Sequence, residues 1–415
     1  MKHTKKYIQT CLNELEKYTQ KTNPFTRLVF SEEFIKARSW LKKEFKKLNL
    51  NIKYDYAGNL FGVYKSKLKT NKKILIGSHL DTVKSGGRYD GIAGIVSSLA
   101  ILKYFVENKI NLPFDVELYD YLGEELNEWG TSCIGTRGMT GLLDKKILNR
   151  VNSDGKLLKD EIDRCGGNSS KLGKKFNFFK DVIACFELHI EQGVRLEQNK
   201  TDIGIVNSIP SISRHKLNIF GKASHSGTAL MNNRRDALVA ASKLIIFINE
   251  LAKKISNKDN RHFVATVGKI DVGPNAATII PSEVELTIDL RVVSKTSRNE
   301  FLTKLNKEIK SLNTKFKIEF HEIAFSPYTE MNKKLNSLLK LSAKKENISF
   351  ISLDSGAGHD TAHLSRVSPA SMIFIPCKNG LSHCPEEYTK ISDIIKGTQV
   401  IKRSIMELAS NKKYY

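Results

Sequence analysis

Apolar residues recur along this chain with two distinct periods, and the periods divide it into parts. Over residues 31–48, Phe34, Ala37, Leu41, Phe45 and Leu48 fall on one helical face, with Ser31 placed to cap the first turn. Residues 74–78, 116–122, 182–188 and 372–376 are short, mostly apolar runs that predict buried strands. Helical stretches such as 92–106 separate them, so the connections are crossovers. The expected fold is α/β, a mixed but mostly parallel sheet flanked by helices. Near Ile209-Pro210 the pattern changes. Residues 215–222 alternate like a half-buried strand, 234–255 are helical, and 263–272 form another strand. Glu283–Val292 keeps a period of two, with Val284, Leu286, Ile288 and Leu290 on one side. Residues 297–312 are helical and 315–323 return to alternation. That order, βαββαβ, is the ferredoxin-like split unit. After Ser326-Pro327 the chain resumes helix, strand and helix. The expectation is a discontinuous main domain, 1–210 with 327–415, carrying an inserted domain at 211–326. Residues 149–179 are polar and glycine-rich with weak periodicity, and read as a long surface excursion.

Composition adds bounds. A chain of 415 residues, 40% hydrophobic and 27% charged, suits two domains with sizeable cores rather than a disordered polymer. No run approaches about 18 uncharged apolar residues, and the N-terminal segment reads as an amphipathic helix without the apolar stretch of a signal peptide. The six cysteines, Cys11, Cys133, Cys165, Cys185, Cys377 and Cys384, form no CxxC pair and no disulfide-like framework. A cytoplasmic protein with no membrane partner is the simplest expectation. The net charge of +23 raises the nucleic-acid class. The excess is mainly Lys, is spread over nearly every segment and coexists with many Asn and Ile residues. It therefore fits a compositional bias, as of an AT-rich genome. No nucleic-acid module is present, and no nucleic-acid partner is expected.

The apolar runs end in chemistry. Residues 74–78 deliver His79-Leu80-Asp81, and Asp90 follows in the loop Gly86-Gly87-Arg88-Tyr89-Asp90-Gly91. Residues 116–122 run into Glu124-Glu125, 182–188 deliver His189 in HIEQG, and 372–376 precede His383 in GLSHCPEE. In open α/β sheets, active groups sit beyond the carboxyl ends of strands. A lone His or Asp there is more often a cap than a ligand, but the coincidence repeats at four strand ends. A set of imidazoles and carboxylates without thiolate is what Zn²⁺ or Mn²⁺ uses for hydrolysis, and Co²⁺ suits the same ligands. His79, Asp90, Glu125, His189 and His383 are the candidate metal ligands.

The runs GSHLDTVKSGGRYDG, EE, ELHIEQGVRLE, GKASHSGT with RRDAL, PNAATIIPSEVELTIDLR, SGAGHD and GLSHCPEE occur in that order over most of the chain. With them the sequence resembles the N-carbamoyl-L-amino-acid hydrolases and allantoate amidohydrolases, within a wider group of dinuclear metallohydrolases that includes aminoacylases and carboxypeptidase G. HIEQG and SGAGHD mark this branch against the peptidases. The resemblance implies hydrolysis of a ureido or amide C–N bond in a small carbamoyl acid, two divalent metal ions per subunit, and an inserted domain that serves as lid and dimerisation surface. It also implies that Asp90 bridges the metals, that His79 and His189 complete one, and that Glu125 and His383 complete the other. Allantoate, or an N-acyl amino acid or peptide, is the alternative substrate at the same site.

Further roles follow by residue. Asp81 is placed either to accept the second ring N–H of His79 or to act as a structural cap, and the HxD spacing favours the orienting role. Adjacent residues leaving a strand diverge, so Glu124 is the candidate general base while Glu125 binds metal. His225 resembles a family histidine that crosses from a partner subunit to the oxyanion, which implies a homodimer; a plain turn histidine is the alternative. Gln192 and Asn275 offer amides to the ureido group and carboxylate. Arg291 is either a bidentate grip on a substrate carboxylate or a strand-end cation. Gly356, Ala357 and Gly358 predict a backbone-rich turn at the pocket, with His359 and Asp360 at its edge. Two features depart from the family pattern. Leu126-Asn127-Glu128-Trp129 replaces a Gly-Ser-Arg-Phe type segment, which bears on the substrate. Cys384 beside His383 is either a soft extra ligand or a small residue on the far side of the turn.

Overall fold

The computed structural model describes residues 2–258 and 261–411, which separate into two compact units. One comprises the chain up to Asn207, Glu330–Leu353 and the chain from His359; the other is Ser208–Thr329 with Asp354–Gly358.

The first unit is built on eight strands in the order Asn51–Tyr54, Leu60–Tyr64, Asp115–Asp120, Lys73–Ser78, Val182–Ile190, Ala370–Ile375, Ile203–Val206 and Phe350–Leu353. The central four are mutually parallel, and antiparallel pairs appear towards the edges. Parallel strands need both faces covered. Helix Ile92–Glu107 accordingly lies between the sheet and helices Lys2–Glu16 and Ile391–Ser410, and is buried over most of its circumference. Helix Glu32–Lys47 has the expected apolar face, and the Ser31 side chain accepts from the Phe34 N–H as its cap. Because the central strands run the same way, their carboxyl ends share one edge of the sheet. Among the described residues, no helix is long and apolar enough to cross a membrane.

The second unit has the predicted βαββαβ order: Ser211–Phe220, Ala237–Lys258, Phe263–Gly273, Glu283–Val292, Lys295–Leu312 and Lys317–Ser326. Its four strands pair antiparallel in the order Lys317–Ser326, Ser211–Phe220, Glu283–Val292, Phe263–Gly273. Val284, Leu286, Ile288 and Leu290 are all fully buried, against Leu244, Ile248, Phe301 and Leu305 of the two helices. Alternation in the strand is thus matched by a helical face across it.

Two expectations shift. The helix foreseen from residue 234 begins at Ala237, because Arg234 is extended and the Asp236 carboxylate accepts from the Leu238 and Val239 N–H groups. A capping acid sets the start, where periodicity alone could not. The 149–179 stretch contains more structure than a surface excursion. Helix Leu158–Arg164 buries Leu158 and Ile162 in the main core, and Phe176 and Phe179 are buried beyond it. With Cys165, these are five apolar anchors among many polar residues, which give no readable period.

Candidate metal centre

The loop after strand Lys73–Ser78 is fixed by two buried guanidiniums. Arg27 donates from Nε to the Leu80 carbonyl at 2.6 Å, and the Leu80 N–H donates to Asp120 Oδ1 at 3.0 Å. Asp120 is itself held by Arg38 at 2.6 Å. His79 is thereby presented at the sheet edge. Gly91, with φ of +67°, passes so close that an added Cβ would lie 2.5 Å from the His79 ring. Only glycine fits there.

The two buried histidines are oriented alike. His79 Nδ1 lies 3.0 Å from the Asp81 carbonyl oxygen, and His189 Nδ1 lies 2.9 Å from that of Ile190. A carbonyl can only accept, so each Nδ1 carries the proton and each Nε2 offers a lone pair. Both Nε2 atoms lie near Asp90 Oδ1, at 3.4 and 3.0 Å, and that of His189 also accepts from the Gly91 N–H at 3.3 Å. The other oxygen, Oδ2, faces His383 Nε2 at 3.4 Å, and that nitrogen is 3.3 Å from Glu125 Oε1. Two ligand groups result, His79–Asp90–His189 and Asp90–Glu125–His383, each with its ligand atoms within 4.8 Å of one another. Asp90 belongs to both. A third group, Glu187–His189–His359, is less suited to an ion. Its Glu187 oxygens already accept from Ser78 and Thr361.

Charge and satisfaction both fit a cation. His79 Nε2 is buried with no hydrogen-bond partner among the described residues, as expected of a lone pair reserved for a metal. Burial alone would lower the His79 pKa, yet Asp90, Glu124 and Asp81 carry it well above the usual value. Asp90 would be raised by burial but is held well below the carboxylate range by His189, His383 and His79. His383 is pushed up to about 11 by Asp90 and Glu125. A carboxylate cluster of this kind draws positive charge, as protons or as metal ions.

Glu124 and Glu125 diverge. Glu125 turns to His383, while Glu124 is buried with Oε2 3.9 Å from His79 Nε2 and Oε1 3.6 Å from the Cys133 thiol. Burial pushes the Glu124 carboxyl well above its usual range, opposed by His79. Glu124 thus lies beside His79 without entering any of the ligand groups among the described residues.

One family model, described as Peptidase family M20/M25/M40, matches residues 75–407. The chain belongs to this family. Its relatives include an N-carbamoyl-L-amino-acid amidohydrolase of Pseudomonas sp. (strain NS671), 31% identical over 386 residues and covering 92% of each chain. An allantoate amidohydrolase of Bacillus subtilis (strain 168) is 30% identical, again over 92% of each. Among solved structures, an amidase of the hydantoinase/carbamoylase family from Burkholderia multivorans superposes with a TM-score of 0.87 at 25% identity, covering 98% of both chains. This M20-family chain is accordingly an amidohydrolase.

The remaining residues fall as follows. Asp81 does orient His79, but through its main-chain oxygen. Its carboxylate, 3.7 Å from His79 Nδ1, accepts instead from the Glu124 and Glu125 N–H groups at 3.2 and 3.0 Å. The carboxylate is better used there because it satisfies two donors leaving the next strand. Gln192 donates from Nε2 to Asp90 Oδ2 at 2.5 Å, while its Oε1 has no hydrogen-bond partner among the described residues. His359 is buried, its ring 4.6 Å from that of His189. Asp360, expected at a pocket edge, is fully buried and accepts from Thr136 at 2.6 Å. Cys384 enters none of the ligand groups among the described residues.

In the second unit, His225 is exposed and its Nδ1 accepts from the Gly227 N–H at 3.0 Å; Asn275 is also exposed. Arg291 has Nε on Asp289 at 2.8 Å and one terminal nitrogen 3.3 Å from the Gly356 carbonyl, which fixes the guanidinium plane. Gly358 approaches the Ile212 side chain, where an added Cβ would lie 3.1 Å away. Sequence reasoning missed Glu387. Its Oε1 accepts from the Tyr89 and Asp90 N–H groups at 2.7 and 3.0 Å, and its Oε2 from the Ser382 hydroxyl at 2.7 Å. The signal was the second acid of GLSHCPEE, four residues past His383.

Proposed function

We propose that the chain hydrolyses an N-carbamoyl-L-amino acid to the amino acid, carbon dioxide and ammonia, with two Zn²⁺ or Mn²⁺ ions, or Co²⁺ in their place. The observation that carries this reading is Asp90, whose two oxygens face separate ligand pairs. When bound, such ions polarise the scissile carbonyl and lower the pKa of water. His79 and His189 would hold one ion and Glu125 with His383 the other. Glu124 removes a proton from the attacking water and delivers it to the leaving nitrogen. Asp81 keeps the Glu124–Glu125 backbone in place through its two accepted hydrogen bonds.

Arg291 and Asn275 are proposed to bind the substrate carboxylate, with Gln192, Gly358 and His359 contributing to the substrate site. The rigid guanidinium of Arg291 supports this assignment. A homodimer in which His225 serves the site of the other copy belongs to the same proposal. Its support is the exposed ring, with Nδ1 occupied by Gly227. Mixing inactive Glu124→Gln and His225→Ala proteins would restore part of the activity if the site is shared, and none in proven mixed dimers if it is not.

Allantoate is the second reading, favoured by the name of the Bacillus relative. A screen of metal-loaded protein for ammonia release separates the two. Turnover of carbamoyl amino acids above allantoate supports the proposal; turnover of N-acyl amino acids alone, without ammonia, overturns both.

A further inference from the structure

Two stretches without a role, residues 126–129 and part of the 149–179 segment, meet in one cavity of about 370 Å³ in the first unit. Glu125 and Asp81 line the side nearest the metal centre. Phe30 and Trp129 form an apolar wall, their rings meeting edge to face at 5.3 Å, and Leu126 stands at the wall with 52% of its surface exposed. The two stretches are tied together, since Trp129 Nε1 donates to the Lys156 carbonyl at 2.8 Å. The wall is therefore a built surface, continuous with a metal ligand through the Glu125–Leu126 peptide.

Ligand sites are largely apolar cavities with a few polar groups that fix orientation. Here Leu28, Phe30, Leu126 and Trp129 give the cavity an apolar wall, and charged groups such as Lys84, Glu128 and Asp154 also line it. We propose that this cavity receives the amino-acid side chain of the substrate and selects derivatives with a large apolar side chain over glycine derivatives and allantoate. The inference rests on the carbamoyl reading above and narrows it. Allantoate offers a second ureido group, which would lose water against Phe30 and Trp129 and cannot cover that wall as an apolar side chain does.

Two measurements test it. The first compares kcat/KM of metal-loaded protein for N-carbamoyl-L-leucine, N-carbamoylglycine and allantoate. The leucine derivative should exceed the glycine derivative by about ten- to a hundredfold, as full burial of such a side chain implies. Leu126→Arg, at an exposed position, should collapse that ratio by at least about tenfold. The second measures binding without turnover, by the ligand-induced change in tryptophan fluorescence of Glu124→Gln protein, in which Trp40 is a background, against the Leu126→Arg double variant. Turnover with no side-chain preference, or a preference that survives Leu126→Arg, overturns the cavity assignment and leaves the reaction intact. Selective binding of the leucine derivative without turnover of any carbamoyl acid supports the cavity and overturns the reaction. Neither selective binding nor turnover overturns both.

Discussion

Glu124 and Glu125 are neighbours in sequence but face different histidines, and the proposal that one binds metal while the other moves protons rests on this difference. Glu124→Gln keeps the shape and the backbone bonds to Asp81 but cannot carry a proton. It should retain both metals and lose about 10²–10⁴-fold in kcat, the usual contribution of a general acid–base group. Metal content measured beside the rate decides the point, since loss of a metal would make Glu124 a ligand instead. Asp202 offers a residue-level test of charge in the fold itself. Its carboxylate accepts from the Ser349 N–H and hydroxyl at 2.9 and 2.7 Å and pairs with Lys396. Burial works to raise its pKa, but Lys396 and the Ser349 bonds outweigh it and the net shift is downward. A depressed carboxylate stabilises the fold above its unfolded pKa of about 3.9, and that stability is lost as pH falls through the lower folded value. Asp202→Asn should therefore cost no more than about 0.5–1 kcal/mol at pH 7, since solvent screens this partly exposed pair. In urea unfolding the gap to the parent protein should narrow below about pH 4; a gap independent of pH would assign the loss to shape rather than charge.

At the scale of elements, the site depends on loops tied together as well as on strands that end at one edge. Glu387 joins the loop of Asp90 to that of His383, accepting two N–H groups from the first and the Ser382 hydroxyl beside the second. Glu387→Ala would leave those donors unpaired and free both loops. Metal affinity should fall by about 10–100-fold, as when supporting partners of a metal site are removed, while the thermal transition of chelated protein should move much less. Equal losses in both would make Glu387 a general fold residue. The strands themselves were legible because each is a short apolar run with its chemistry at the end: His79 follows Ser78, and His189 lies one residue before the end of Val182–Ile190. Alternation in Glu283–Val292 was equally plain. Glu387, Arg27 and the buried Asp360 were not. Their partners lie 297, 53 and 224 positions away in the chain, and no local period reports a contact at that range. The same holds for Asp81, where spacing identified the right residue but not that its carbonyl would meet the imidazole.

At the scale of the whole molecule, metal binding and the second core belong to different units. Every candidate ligand lies in the first unit, whose core draws on residues from Ile8 to Leu408. The core of the second is drawn entirely from one continuous stretch, Leu217 to Ile318. A domain whose buried residues are contiguous in sequence loses none of them when excised, and domains of this size fold on their own. Residues 208–329 expressed alone should therefore unfold in a single cooperative thermal transition. Excision does remove Asp354, which Arg261 approaches at 3.3 Å and to which the Ser208 hydroxyl donates, so the fragment should be somewhat less stable than the same unit in the full chain. Divalent ions should leave its transition unmoved. The full chain should gain about 2.7 kcal/mol for each ion present at a hundred times its Kd, because only the folded first unit gathers the ligands. Calorimetric scans of both proteins, with metal and with chelator, make the comparison. A fragment without a cooperative transition would show that its core needs the rest of the chain, and a fragment stabilised by metal would place an ion outside the Asp90 cluster.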